Sequence, residues 1–298
     1  MKAVMALFAA VSLAGCEVNL NSEGIVSRET KTFEVSGTPD LQLDTFDGSI
    51  EVHSWDRSDV EVEIEKRAME QSLVDEMKVT AEQQGNRIVI KVTRPGRGED
   101  FGGVQIGVHF SPSARLRVAL PRQSIVTATS GDGSITIEDV NGKMTLNTSE
   151  GSVRGSRLSG EIVVRSGDGS VRMDRVEGKL DLETEDGSIT VDARPTSLRA
   201  RTSDGALRFQ IDRDSVMEGA WDLQTTDGSV VLSLPPGFNG QVDAETRDGV
   251  VRSNNSAVSR DAPGDEDREE RRRTLRATLG SGGKTVRIRT GDGSIRIE

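Results

Sequence analysis

The chain has 298 residues, a formal net charge of −11, 3% aromatic content, one cysteine and no tyrosine. An acidic balance of this size argues against a nucleic-acid binder, whose footprint is dominantly basic, and against simple electrostatic adhesion to an anionic membrane. A lone cysteine excludes an intramolecular disulfide, and scarce aromatics leave small aliphatic side chains to build the core, each contributing roughly 1.5 to 3 kcal/mol on burial before the conformational cost.

Residues 1–15 have the make-up of a signal peptide: Lys2, a small apolar stretch over 3–12, then Leu13-Ala14-Gly15-Cys16, which resembles a bacterial lipobox. The resemblance implies cleavage before Cys16 and a lipid on that residue, hence attachment to a membrane. The apolar stretch is too short to span a bilayer, and stable attachment needs more than one acyl chain. Residues 16–30 are polar and are expected to form a lipidated, flexible tether.

Residues 31–121 are expected to be an irregular, β-rich capping region, with strands over 60–64, 87–92 and 116–120. The stretch 68–77 has helix-forming composition and no Gly or Pro, which predicts one short helix covering a side or an open end of the fold. This region holds the first copy of a phrase that dominates the rest of the chain.

The phrase reads apolar-x-apolar-x-Thr/Ser-x-Asp/Glu-Gly-Ser-apolar-x-apolar and occurs nine times, four times returning at a spacing of 18. Its acid and glycine fall at Asp47-Gly48, Asp132-Gly133, Glu150-Gly151, Asp168-Gly169, Asp186-Gly187, Asp204-Gly205, Asp227-Gly228, Asp248-Gly249 and Asp292-Gly293. Two residues earlier stands a hydroxyl: Thr45, Ser130, Thr148, Ser166, Thr184, Thr202, Thr225, Thr246 and Thr290. Period-two alternation on either side marks half-buried strands, and Asp-Gly is a turn signal in which glycine accepts positive φ. A second corner falls at Asn141-Gly142, Ser159-Gly160 and Glu177-Gly178.

A fixed period of this kind signals a repeat architecture. The expectation is an all-β chain with a right-handed parallel β-solenoid of about 18 residues per coil over 122–298. The alternative is an antiparallel β-meander with type I′ turns at Asp-Gly. The solenoid gives the recurring hydroxyl a task, satisfying buried turn amides in successive coils. The rhythm breaks over 253–283, a charged excursion expected to be mostly disordered with a helical turn, and resumes for a last coil whose edge at 295–298 would permit self-association.

Stacked carboxylates at Asp132, Glu150, Asp168, Asp186 and Asp204 would repel their neighbours by about 1 kcal/mol in water and about 3.5 kcal/mol at an effective dielectric of about 20. Fanning into solvent, capping amides, pairing with arginine or sharing Ca²⁺ would relieve this. One acid per turn is poor in ligands for Ca²⁺, which takes six to eight oxygens, so turn formation is the expected role. His53 and His109 stand alone on strand-like segments, and no nucleophile triad, phosphate loop or zinc spacing occurs. Arg154, Arg172 and Arg208 share one outward position and could form a basic stripe, which the overall acidity disfavours. Outward Thr127, Thr129 and Thr145 give way to Val163 and Arg165, so no flat threonine lattice forms.

The ordered series of Thr-x-Asp-Gly-Ser-Ile phrases, with the ending Ile288-Arg289-Thr290-Gly291-Asp292-Gly293-Ser294-Ile295, resembles a bacterial adhesin-like family of β-strand repeat proteins from about residue 30 onward. The resemblance implies a β-solenoid in an envelope protein and supplies no catalytic residue, cofactor or ligand. The expected protein is therefore a non-enzymatic, lipid-anchored envelope adhesin or scaffold without metal or cofactor. Its expected partners are a membrane through Cys16 and an envelope protein or glycan, with no nucleic acid. Residues 261–273 are a candidate partner contact. The alternatives are an envelope-stress accessory protein that binds a regulator and a polysaccharide-active β-helix enzyme.

Overall fold

The computed structural model describes residues 14–21, 24–94, 111–255, 258–260 and 270–298. The chain is all-β, with one short helix, Gln71–Glu76, and a single helical turn at Glu270–Arg273. Each Asp-Gly phrase supplies two strands. One enters the turn, such as Asn141–Thr148, and one leaves it, such as Val153–Ser156.

Those two strands do not pair with each other. Each lies parallel to its equivalent in the next repeat: Ile135 beside Val153, Met144 beside Ile162, Val153 beside Val171, and Ile162 beside Leu180. The antiparallel meander is therefore not formed at these turns. The entering strands make a leading layer and the departing strands a trailing layer, joined where Val171–Thr184 and Ile189–Thr202 run on through the second corner.

The alternating apolar residues of both layers point at one another and form a continuous core, from Leu41, Leu43 and Ile50 through Leu146, Val164 and Leu182 to Ile288 and Ile297. Where Gly155 interrupts the pattern, its missing side chain leaves room for Met173 and Leu158, which a Cβ there would strike. The second corner carries Asp139, Arg157 and Arg175 at φ of 60°, 54° and 52°. These L-residues hold a left-handed conformation that costs roughly 1 to 2 kcal/mol each.

The stack does not follow chain order at either end. Asp40–Thr45 lies between Arg87–Thr93 and Gln123–Ser130, and Ile50–Trp55 lies between Ser113–Pro121 and Ile135–Glu138. At the far end, Thr285–Thr290 is inserted between Trp221–Thr225 and Gly240–Thr246, while Ile295–Ile297 is inserted between Val230–Ser233 and Val251–Ser253. The expected free edge at 295–298 is thus an interior strand, paired on both sides.

Antiparallel strands close the ends. Lys78–Gln84 covers Arg87–Thr93, and Thr274–Leu279 covers Gly240–Thr246. The latter corrects the expectation of disorder across 253–283: alternating Leu275, Ala277 and Leu279 are buried. Residues 261–269, most of the candidate partner contact, lie outside the described residues. The stretch 16–30, expected as a flexible tether, is mostly strand: Gly24–Glu34 pairs along its length with Asp59–Ala68, and Ala14–Asn21 pairs with it in turn. The helix packs Val74 and Met77 against Ala68, on the side of the capping strands.

The outward charges of the leading layer alternate along the stack. One file runs Asp181, Arg199, Asp222, Arg287, Asp243, Arg276, and the next runs Arg165, Glu183, Arg201, Gln224, Arg289, Glu245. Arg289 bonds Asp243 at 2.7 Å and approaches Glu245 at 3.4 Å. In chain order, Asp222 would face Asp243. Inserting Arg287 and Arg289 between them places cations between acids, so the charge pattern favours the observed strand order.

Candidate functional site

The nine phrase hydroxyls are all buried. Each bridges successive turns. Thr202 Oγ1 accepts a hydrogen bond from the Gly205 amide at 3.1 Å and donates to the Gly187 carbonyl of the neighbouring repeat at 2.9 Å. Ser130, Thr148, Thr184 and Thr225 repeat both contacts with their own glycine amide and the preceding glycine carbonyl. Thr290 accepts from Gly293 and donates to Gly228, Thr246 donates to Gly293, Ser166 donates to Gly151, and Thr45 donates to Ala114.

Glycine is required there by close approach rather than by backbone angle. Of the nine Asp/Glu-Gly glycines only Gly48 has positive φ, so the conformational reason expected from the Asp-Gly signal does not apply to the rest. Cβ atoms at Gly133, Gly151, Gly169, Gly187, Gly205, Gly228, Gly293 and Gly249 would each overlap the carbonyl of the glycine stacked against it. The repeating hydroxyls and glycines are consumed by the architecture.

The acid column faces outward. Asp132, Glu150, Asp168, Asp186, Asp204, Asp227, Asp248 and Asp292 are exposed, and Arg247 pairs with Asp292 at 3.1 Å. Asp47 is less exposed. Burial pushes its carboxyl above the ordinary carboxylate value, and the charge of Asp132 adds to the rise. Among the described residues no three His, Cys, Asp or Glu side chains are grouped to hold a metal ion. His53 is exposed on the trailing layer, with Ala119 and Glu138 as strand neighbours; His109 lies outside the described residues. Cys16 falls at a register shift between Ala14 and Glu17. No helix among the described residues is long and apolar enough to cross a membrane.

The outward face of the trailing layer differs from that of the leading layer. Along its central file stand Arg154, Arg172, Thr190, Arg208, Val231, Arg296 and Arg252, in stack order. The sequence places the first three arginines at equivalent positions, but the inserted strand is what brings Arg296 into line and Arg252 beside it. A shallow groove of about 200 Å³ lies at Arg154 and Arg172, with Thr136, Gly155, Ser156 and the acids Glu138 and Asp174 in its walls. A larger cleft of about 740 Å³ opens at the far corner beside Asp214, Val216, Phe238 and Lys284, near the tilted Trp221–Phe238 ring pair at 5.3 Å. Sequence reasoning missed this cleft because its walls come from three irregular corners.

A family model described as Toastrack DUF4097 matches residues 38–298. No curated protein matches the chain. Among solved structures, the chain is similar to a "putative adhesin" from Parabacteroides merdae, with 11% identity, 91% of this chain and 96% of that chain covered, and a TM-score of 0.43. It is also similar to a "putative adhesin" from Bacteroides fragilis, with 9% identity, 91% and 97% coverage and a TM-score of 0.35. A third is a "putative cell adhesion protein" from Clostridium sporogenes, with 13% identity, 91% and 98% coverage and a TM-score of 0.30.

Proposed function

The chain belongs to the Toastrack DUF4097 family, and on that premise we propose that it is a non-enzymatic envelope lipoprotein with an adhesin-like or scaffolding role. Residues 1–15 are removed, Cys16 carries the lipid, and the sheet follows directly on the lipidated residue. The region from 122 onward acts as a right-handed β-solenoid of about 18 residues per coil, a stiff body that presents its outer faces to a partner.

The observation that carries this reading is the fate of the repeated chemistry. The hydroxyl of every phrase is buried and hydrogen-bonded to backbone, and the stacked glycines leave no room for a side chain. What the repeats offer a partner is therefore their outward side chains, held on a rigid support, which suits binding better than turnover.

The test is intact mass and membrane fractionation of the native protein beside Cys16→Ala, with a pull-down from the same membranes. A lipid-shifted, membrane-bound wild type and a soluble, unmodified variant are expected. A freely secreted, unlipidated wild type would overturn the anchored reading.

A further inference from the structure

Both outer faces carry arginines, but in the central files they are set differently: on the leading layer they alternate with acids, and on the trailing layer they do not. On the leading layer Arg165 sits 2.9 Å from Asp181 and 3.2 Å from Glu183, and Arg289 is similarly held. On the trailing layer Arg154, Arg172, Arg208, Arg252 and Arg296 are all exposed. Among the described residues the first four make no ion pair, and Arg296 has only Glu298 at 3.8 Å. Arg154 is the strand neighbour of Arg172, and Arg296 of Arg252. With strands about 4.8 Å apart, each adjacent pair repels by about 1 kcal/mol in water.

We infer that this arginine file is a binding site for a linear polyanion: a polymer bearing carboxylate, sulfate or phosphate groups at regular intervals on a non-aromatic backbone. The inference deepens the adhesin-like reading by naming a ligand class, and rests on that reading only for where the ligand is met.

Geometry selects the linear form. Seven successive strands set the file in a line about 29 Å long, and no acid stands in it. Its borders are different. On the turn side runs a hydroxyl file, Ser134, Ser152, Ser170 and Ser188, with Ser152 and Ser170 Oγ atoms 3.4 Å apart, and beyond it the exposed acid column. On the other side stand Ser156, Asp174 and Asp192. Arg175 engages Asp174 at 2.9 Å, and Arg157 engages Glu138 at the head of that file at 3.1 Å. A flat anionic membrane laid on this face would meet the acids of both borders as well as the arginines, whereas a single polymer strand can follow the arginines and serines, meeting Glu138 and Asp174 only at the wall of the groove beside Arg154 and Arg172.

The face also lacks the stacking platform that single-stranded nucleic acids use, since neither the arginine file nor the hydroxyl file contains an aromatic residue. Bidentate arginine geometry suits carboxylate, sulfate and phosphate alike, and the shallow groove at Arg154 and Arg172 sets two such arginines side by side.

Binding of the purified protein to heparin, polygalacturonate, long-chain polyphosphate, neutral dextran, poly(dT) and phosphatidylglycerol-containing vesicles tests this, beside R154Q/R172Q/R208Q and the control K143Q/K284Q. The expected result is salt-sensitive binding to at least one of the first three, with no binding to dextran. The triple variant should bind about tenfold or more weakly and flatten the plot of log K against log salt by about 2 in slope, while the control and the thermal midpoint are unchanged. The polymer bound identifies the anionic group. Equal binding by the triple variant, no binding to any of the three polymers, or preferential binding to vesicles or poly(dT) overturns the inference. None of these outcomes alters the fractionation of Cys16→Ala, so the two readings fail separately.

Discussion

The Thr290 hydroxyl donates a 2.8 Å hydrogen bond to the carbonyl of Gly228, a residue 62 positions earlier. Thr246, which lies between them in sequence, stacks on the far side and donates to Gly293. The repeat at 285–297 therefore joins two repeats that precede it.

A chain ending at residue 283 should lose more than its final strands. Gly240–Thr246 and Val251–Ser253 would have no parallel partner on the inner side. Hydrogen exchange should show lost protection over 240–253 and 274–279, with the repeats before residue 210 still protected. Uniform protection in the shortened chain would show that the inserted repeat is dispensable.

Thr202→Val preserves shape but leaves the Gly205 amide and a Gly187 acceptor site without their bridge. A buried donor left unsatisfied costs about 1 to 3 kcal/mol. Thr202→Ser keeps the oxygen, as Ser130 and Ser166 do at equivalent positions, and should lose less than half as much in urea unfolding. Equal losses in both variants would mean that the methyl group matters and the bridge does not.

Two glycines separate space from backbone angle. A Cβ at Gly187 would overlap the Gly169 carbonyl and reach Thr184 Oγ1 at 2.8 Å, whereas Gly85 has φ of +62° and nothing within 4 Å of the same point. Gly85→Ala should cost about 1 to 2 kcal/mol, the left-handed penalty. Gly187→Ala must push adjacent backbones away from each other and should exceed about 3 kcal/mol or prevent folding. Thermal unfolding of both variants, with circular dichroism to monitor folding, provides the comparison.

Much of this fold could be read from the phrase itself. Its alternation gives both layers, and the fixed spacing sets which residues become neighbours. The left-handed corner residues were hidden, because Arg157 and Arg175 carry no turn signal of the Gly, Asn or Asp kind, and Asp139 stands alone among them in having one. Strand order at the ends was also hidden, since periodicity says which surfaces match and not which copies meet. A clue did exist in the charges: Asp222 and Asp243 repel as neighbours, and Arg287 complements both. The arginine file was partly visible at Arg154, Arg172 and Arg208, and completing it required the inserted repeat.

Arg289→Glu should destabilise by about 1 kcal/mol, the scale of a half-exposed ion pair, by facing Asp243 and Glu245 with a third acid. Asp243→Arg in the same chain should recover some of the loss. A double-mutant cycle on denaturation midpoints measures the coupling, and zero coupling would remove charge alternation as a determinant of strand order.

Two carboxylates should respond oppositely to acid. Burial tends to raise Glu65, but its hydrogen bond to Arg28 and the charges of Arg28, Arg115 and Arg67 outweigh it and hold the group below its ordinary value of 4.5. Its stabilising contribution is full above that value and is lost as pH falls through the folded pKa. Glu65→Gln should thus be destabilised at neutral pH by about 1.5 to 3 kcal/mol, with the gap closing in acid. Asp47 is raised above its ordinary value of 3.8, so its ionised form is disfavoured by folding at neutral pH. Asp47→Asn should be more stable than wild type there, an advantage that disappears below about pH 4. Stability curves from pH 3 to 8 read both effects.

The out-of-order repeats also give the protein a timetable. A chain made or exported from its N-terminus can lay down the rungs from 123 to 233 one upon another as they arrive. The repeat at 240–253 has to wait, because its neighbour is still unmade, and it finds its permanent place only after 285–297 have emerged. Until then the growing end is an open β edge, so closing the stack has to await residues 285–297, and the interval before it is when a chaperone would be needed most.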